Sequence, residues 1–235
     1  TLLNSICLGE MDMDYILFNE EDPLLQQVPE YRSSAFLLHP FIQMPKGWSE
    51  KKKSHPHEHV YPSDEEILTL GTPVSWETVR TICGFSSLDE VALALGTATF
   101  KRPYQRPDLE KKVSDSFSSD FYWPQEDRIP VFLNKGILND FSSNGAQNFY
   151  FSDPVFDSSG QVSIEKCTFS TISELAPAEV IITDENLQSV FISQYDRCYT
   201  IFLSKQQNLE KKITLNNWEA IICNIGTKIE WFVKG

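Results

Sequence analysis

The apolar runs in the second half of the chain constrain the fold most. EVIIT (179–183) and YTIFL (199–203) are continuous apolar stretches too short for a packed helix and rich in β-branched and aromatic residues. They read as buried strands. The closing WEAIICNIGTKIEWFVKG (218–235) reads as two apolar-rich strands around Asn224-Ile225-Gly226-Thr227. Gly226 would supply the positive φ of a tight turn, so this segment predicts a C-terminal hairpin. QVSIEKCTF (161–169) alternates like a strand after the DSSG turn signal.

The first half follows another pattern. Pro23, Pro29, Pro40 and Pro45 interrupt residues 14–45 and exclude a long helix there. Tyr15–Phe18 and Ala35–Leu38 read as short strands, and residues 46–62 as a long polar loop. Helix signals come next. Ser63 with Glu66, and Ser87 with Glu90, have capping-box spacing, and Ser75 precedes WETVRTIC, which Gly84 stops. A fourth helix is expected over Asp108–Phe117 and a helical turn at Ile137–Phe141; KQQNLEKKI reads as a short helix. Strands cluster and do not alternate with helices. The expected fold is therefore α+β, a helical N-terminal half packed on a mixed or antiparallel sheet that ends in the hairpin. The expected organisation is one domain over residues 14–235, with 1–13 an extension.

Charge narrows the function classes. The net charge of -13 disfavours nucleic acid and anionic membranes as partners and suits a basic protein. No apolar run reaches the length of a membrane span. The odd, scattered set Cys7, Cys83, Cys167, Cys198 and Cys223 contains no CxxC pair and reads as free thiols in a reducing, cytoplasmic setting. SWETVRTICGFSSLDEVALALG has the length and central glycine of a helix-turn-helix. Its second helix opens Leu88-Asp89-Glu90 and carries no cation, so it reads as packed core.

Signatures of nucleophilic, P-loop, dinucleotide and zinc-protease chemistry are missing from the sequence, and no cofactor is expected. Three of the four histidines fall in His55-Pro56-His57-Glu58-His59. Imidazoles at alternate positions are candidate metal ligands, but Pro56 favours polyproline geometry, where i and i+2 no longer align. Three lysines just upstream oppose a cation, so exposed histidines without a closed metal site are expected. His39 sits in an apolar run and reads as packed. Asp184 and Glu185 follow a strand, where either catalytic or turn chemistry is possible. Asp153 and Asp157 lack the spacing of a calcium loop. Trp48 and Trp123, in Pro-rich loops, are candidates for an exposed contact surface.

Together LLHPFIQMPKGW, HVYPSDEEIL, PVSWE, DFYWPQ, IPVFL, EVIITDEN and WEAII…IEWF resemble a bacterial family, mainly of Bacillus-type Firmicutes, known as a domain of unknown function. The resemblance implies a bacterial cytoplasmic origin and brings no activity, cofactor or site residue. The leading expectation is a non-enzymatic interaction module, an acidic binder of the antitoxin or immunity kind. The alternative is an enzyme using His55, His57 and His59 with Asp184 and Glu185, with or without a metal.

Overall fold

The computed structural model describes residues 18–55, 57–96, 104–175 and 178–233. The chain runs α1 (Leu24–Gln27), β1 (Ser33–Leu38), β2 (Phe41–Gln43), α2 (Trp48–Lys52), α3 (Asp64–Leu70) and β3 (Thr72–Val74). It continues through α4 (Trp76–Cys83), α5 (Leu88–Leu95), α6 (Pro107–Ser116), β4 (Phe121–Tyr122), α7 (Val131–Ser143), β5 (Asn148–Asp153) and β6 (Ser158–Ser163). Last come α8 (Thr171–Leu175), β7 (Val180–Asp184), β8 (Ser189–Ser193), β9 (Tyr199–Ser204), α9 (Glu210–Leu215) and β10 (Ala220–Ile222). The strands form two antiparallel sheets. One has seven strands in the order β10-β1-β9-β8-β7-β5-β6, the other three in the order β3-β2-β4.

Every residue of β1, β7, β8 and β9 is buried. That explains why their sequences run apolar without alternation: both faces are covered. Phe36 and Leu38 of β1 and Ile201 and Leu203 of β9 face a core shared with α1, α4, α5 and α6. Ala35 and Leu37 of β1 and Phe202 of β9 face the opposite core, shared with α7 and α8. The halves are therefore not segregated as the sequence suggests. β1 comes from the N-terminal half yet sits between β9 and β10, and helices from both halves cover the sheet. A sheet apolar on both sides needs a helical layer on each.

The caps follow the sequence with one shift. Ser63 and Glu66 form the full capping box of α3, and Ser75 accepts the Thr78 N–H while Gly84 ends α4 at φ +61°. At α5 the box moves back one residue: the Glu90 carboxylate accepts the Ser86 N–H at 2.6 Å, and Ser87 makes no side-chain cap. The helical turn at Ile137–Phe141 lies inside α7, thirteen residues long. The strand expected over 161–169 is displaced, because β6 starts in the DSSG turn and ends at Ser163, where a 3-10 turn begins. Trp48–Lys52 interrupts the supposed 46–62 loop with α2. Tyr15–Ile16–Leu17 and the 1–13 extension lie outside the described residues.

The C-terminal hairpin does not form. β10 pairs only with β1, at the sheet edge. Asn224–Thr227 does turn, with the Thr227 N–H donating to the Asn224 carbonyl and the Asn224 side chain accepting the Gly226 N–H at 2.8 Å, but Gly226 has no positive φ. Without a mirror-image turn the chain is not sent back along β10. The Thr227 carbonyl instead accepts the Leu24 N–H of α1. The following residues pack inward, with Ile229 buried and Trp231 stacked at 6.5 Å on Phe36. A returning edge strand would have left alternate members of this apolar set in water.

On the α7 face, Phe191 and Phe202 stack at 4.5 Å and Trp218 meets both edge-on, at 5.8 and 5.7 Å. Gly136 of α7 makes room for that indole. A Cβ at this position would lie 2.7 Å from Trp218 Nε1. In an exposed helix Gly→Ala stabilises by roughly 1 kcal/mol. Here Gly136→Ala is expected to lower the unfolding free energy by about 1–3 kcal/mol through overpacking. Urea denaturation checks the sign, and Trp218→Phe in the same chain should relieve part of the loss.

Candidate functional site

Asp184 ends β7 and is fully buried. Its carboxylate accepts the backbone N–H groups of Asn186 (2.9 Å), Gln188 (3.1 Å) and Ser189 (2.7 Å). It thereby closes the β7–β8 turn, in which Leu187 takes φ +51°. Glu185 accepts the Gln147 N–H at 2.7 Å and the Asn148 amide at 3.0 Å, and these bonds hold its carboxyl below the usual range. Glu185 thus ties the turn to the start of β5, while Asp184 closes it. Asp153 does the same for β5–β6, accepting the Val155 and Phe156 N–H groups.

No pattern in the sequence points to what lies beneath Asp184. Asn144, at the end of α7, donates to Asp184 at 3.2 Å and to Ser189 Oγ at 3.0 Å. Lys212 of α9 reaches in to pair with Asp140 of α7 at 2.6 Å and to donate to Asn144 Oδ1 at 3.2 Å and Ser189 Oγ at 3.3 Å. Its ammonium lies 5.9 Å from the Phe202 ring. This buried network locks α7, α9 and the β7–β8 turn together. Its members come from three distant segments with no shared spacing, so no motif could have marked them.

The histidine run lies elsewhere. Asp120, just before β4, accepts the Gly47 and Ser49 N–H groups at 2.6 and 2.8 Å and so anchors α2 against the three-stranded sheet. Burial pushes the Asp120 carboxyl up, but the backbone donors together outweigh it and leave it below the usual range. From this anchor the chain arcs over β4. Glu58 N–H donates to the His55 carbonyl, and the Glu58 carboxylate accepts the Ser54 N–H, so 54–58 is a turn and not an extended strand. His55, His57 and His59 are all exposed, as expected. His57 and His59 line an open cleft of about 540 Å³ together with Lys53, Tyr61, Tyr122 and Trp123. Tyr61 is 77% exposed, and its ring lies 6.1 Å from that of Tyr122. Neither Asp184 nor Glu185 lines the cleft. Among the described residues no group of three or more His, Cys, Asp or Glu is placed to hold a metal ion.

Trp48 corrects an expectation. It is 7% exposed and packs edge-on against Tyr122 at 5.9 Å beneath the cleft, so it offers no contact surface. Its apolar ring belongs under the anchored turn, which its place between prolines concealed. Trp123 is half-buried and lines the cleft. His39 is fully buried, as read from the sequence. Its Nδ1–H donates to the Gln125 carbonyl at 2.6 Å, since a carbonyl only accepts; Nε2 then accepts from the Thr200 hydroxyl at 2.8 Å. Burial pushes its pKa down to about 4, and the Gln125 bond opposes this only in part. Cys83, Cys167, Cys198 and Cys223 are free, with Cys83 and Cys198 buried. Among the described residues no helix is long and apolar enough to cross a membrane.

The architecture and its sites define an α+β protein of two antiparallel sheets, with a polar network locked inside one and an aromatic–imidazole cleft open on the other. The chain belongs to the family described as "Protein of unknown function (DUF2711)", which matches residues 20–233. It is 38% identical over 223 residues to the uncharacterized protein YwbB of Bacillus subtilis (strain 168), covering 94% of this chain and 99% of that protein. No solved structure matches it.

The two buried groups give measurable outcomes. Lys212→Met leaves Asp140, whose side chain is 1% exposed, without its cation. Urea unfolding should show a loss of about 3–5 kcal/mol, part of which returns when Asp140→Asn is added. His39 is neutral in the fold but protonates near 6.5 once unfolded. The stability it confers is complete above pH 6.5 and is lost as pH falls toward 4, at about 1.4 kcal/mol per pH unit. Glu126 and Glu219, raised by burial, pull the opposite way. The comparison is therefore between the wild type and His39→Gln, whose unfolding free energy should fall less steeply between pH 6.5 and about 5.

Proposed function

We propose that this chain is a non-enzymatic interaction module that holds a basic partner protein, in the manner of an antitoxin or immunity protein. The cleft above β4 would be its contact surface. The observation that carries the reading is the exposed Tyr61 ring standing beside Tyr122, Trp123, His57 and His59 over an open cleft. Aromatic side chains held in place by packing beneath them make good binding anchors, because little freedom is lost on contact. Among the described residues the cleft is lined by one carboxylate, Glu58, which is engaged with the Ser54 N–H, so no paired carboxylates stand there for acid–base work. The net charge of -13 would draw a basic partner from a distance, while the aromatic cleft fixes it at contact. The cysteines among the described residues are all free, which fits a reducing compartment, and we propose that the protein acts in the cytoplasm.

The test is capture from a bacterial lysate with the intact chain as bait, at low and at high salt. A basic protein should be retained at low salt, released at high salt, and lost with Tyr61→Ala or Trp123→Ala. Nothing retained at low salt, or retention indifferent to both substitutions, would overturn the assignment.

A further inference from the structure

Among the described residues the seven-stranded sheet is open at both edges. β10 offers three residues before the Asn224 turn, whereas β6 offers six, with the sequence Ser-Ser-Gly-Gln-Val-Ser. The register against β5 fixes which of its peptide groups are free. Ile164 N–H donates to the Gln147 carbonyl, just beyond the pairs Ser163–Asn148 and Val162–Phe149. In an antiparallel ladder, residues that exchange hydrogen bonds alternate with residues that exchange none. Ser158, Gly160 and Val162 therefore turn their peptide groups toward β5, and Ser159, Gln161 and Ser163 turn theirs outward. Among the described residues the outward groups of Ser159 and Gln161 meet no protein partner, and the Ser163 carbonyl accepts only the Cys167 thiol.

Sheet edges in proteins are ordinarily protected by charge, proline or a bulge. β6 has none of these. Its register is unbroken over six pairs, and no charged residue lies between Asp157 and Glu165. The Phe151 ring lies across Gly160, where an added Cβ would sit 2.8 Å from it. At the tip of the hairpin, Val155 and Phe156 are 53% and 64% exposed.

We propose that β6 is a self-association edge, where two copies of the chain join antiparallel about a twofold axis and merge two seven-stranded sheets into one. Charge identifies the occupant. At -13 each, two copies repel over most of their surfaces, and an uncharged edge is where they approach without opposing carboxylates. A basic strand would find no carboxylate along β6, and an acidic strand no cation. The segment that matches β6 in charge, polarity and length is β6 itself. Outward-facing residues have to pair with outward-facing residues, which leaves few registers. With Ser159 opposite Gln161 of the other copy, Gly160 meets its equivalent on the axis, where strands approach most closely. Asp157 then falls opposite Ser163, and Phe156 opposite Ile164. The register centred on Gln161 would set Asp157 against Glu165. A ladder of this length spans about 20 Å, which belongs to the weak, micromolar class of interface.

The experiment is sedimentation velocity of the full chain in reducing buffer, from about 1 to about 300 µM, the range such an interface calls for. The wild type, Gln161→Lys and Gln161→Pro are compared. Proline at 161 removes an outward N–H and the exposed side-chain bond from Gln161 to the Tyr150 hydroxyl, while the backbone ladder between β5 and β6 keeps its bonds. The wild type should pass from monomer to dimer with concentration, and both variants should dimerise at least tenfold more weakly. Salt should strengthen the wild-type dimer by screening like charges, opposite to its effect on a basic partner, which keeps the two proposals separable. A wild type monomeric throughout, or a dimer that Gln161→Lys forms as tightly, would overturn the proposal. If far-ultraviolet circular dichroism shows that Gln161→Pro misfolds, Gln161→Lys alone decides.

Discussion

The stack of Phe191 on Phe202, closed by the Trp218 indole, is the contact on which the rest of the molecule depends. It joins neighbouring strands in the centre of the sheet to the segment leading into β10. It also sets the distance of α7, because Gly136 is the one point where that helix comes against the indole with no side chain between. On the opposite face, Phe36 plays a comparable part, meeting Tyr199 edge-on at 4.9 Å and Trp231 in a stack. With both faces apolar, the sheet is stable only between two helical layers, and that requirement places α4–α6 on one side and α7–α8 on the other.

Several buried polar groups inside this frame pair across distant elements. The Glu219 carboxylate, drawn in beside β10, accepts the Trp76 and Glu77 N–H groups at 2.7 and 2.8 Å and so caps α4 from a distant part of the chain. His39 spans the end of β1 and β9, while Lys212 neutralises Asp140. A polar group left without a partner at such depth is costly. These bonds therefore hold the layers in one arrangement, whereas apolar packing alone tolerates small slips. The same economy explains Asp184: a carboxylate that closes a turn with three backbone donors is not available for chemistry at the surface.

What remains exposed is divided. The cleft over β4 is aromatic and imidazole-rich and rests on a turn pinned by Asp120; the β6 edge is uncharged backbone. The histidine run itself contributes two rings to the cleft wall and holds the third away from it. This follows from the Ser54–Glu58 turn, whose hydrogen bonds no propensity argument anticipates.

Local signals in the sequence proved sound where they carried their own chemistry. Ser63 with Glu66, Ser75 with Gly84, and the runs EVIIT and YTIFL each gave their element nearly in place, because a cap or an apolar stretch acts within a few residues. β8 carries no such local signal, since Ser189 and Ser193 end its short apolar run with hydroxyls whose partners are distant in sequence: Asn144 and Lys212 donate to Ser189 Oγ, and Val180 N–H to Ser193 Oγ. The closing hairpin failed for a related reason. Its apolar residues suit the second strand of a hairpin, but Ile229, Trp231 and Phe232 had a deeper site available beneath β1. The sequence by itself determined the α+β class, the caps of α3 and α4 and the buried strands β1, β7 and β9. The tertiary structure alone decided which face each apolar residue took, which carboxylates were spent on turns and which histidines shared a wall, because burial and hydrogen-bond pairing between distant segments are settled only when the layers close.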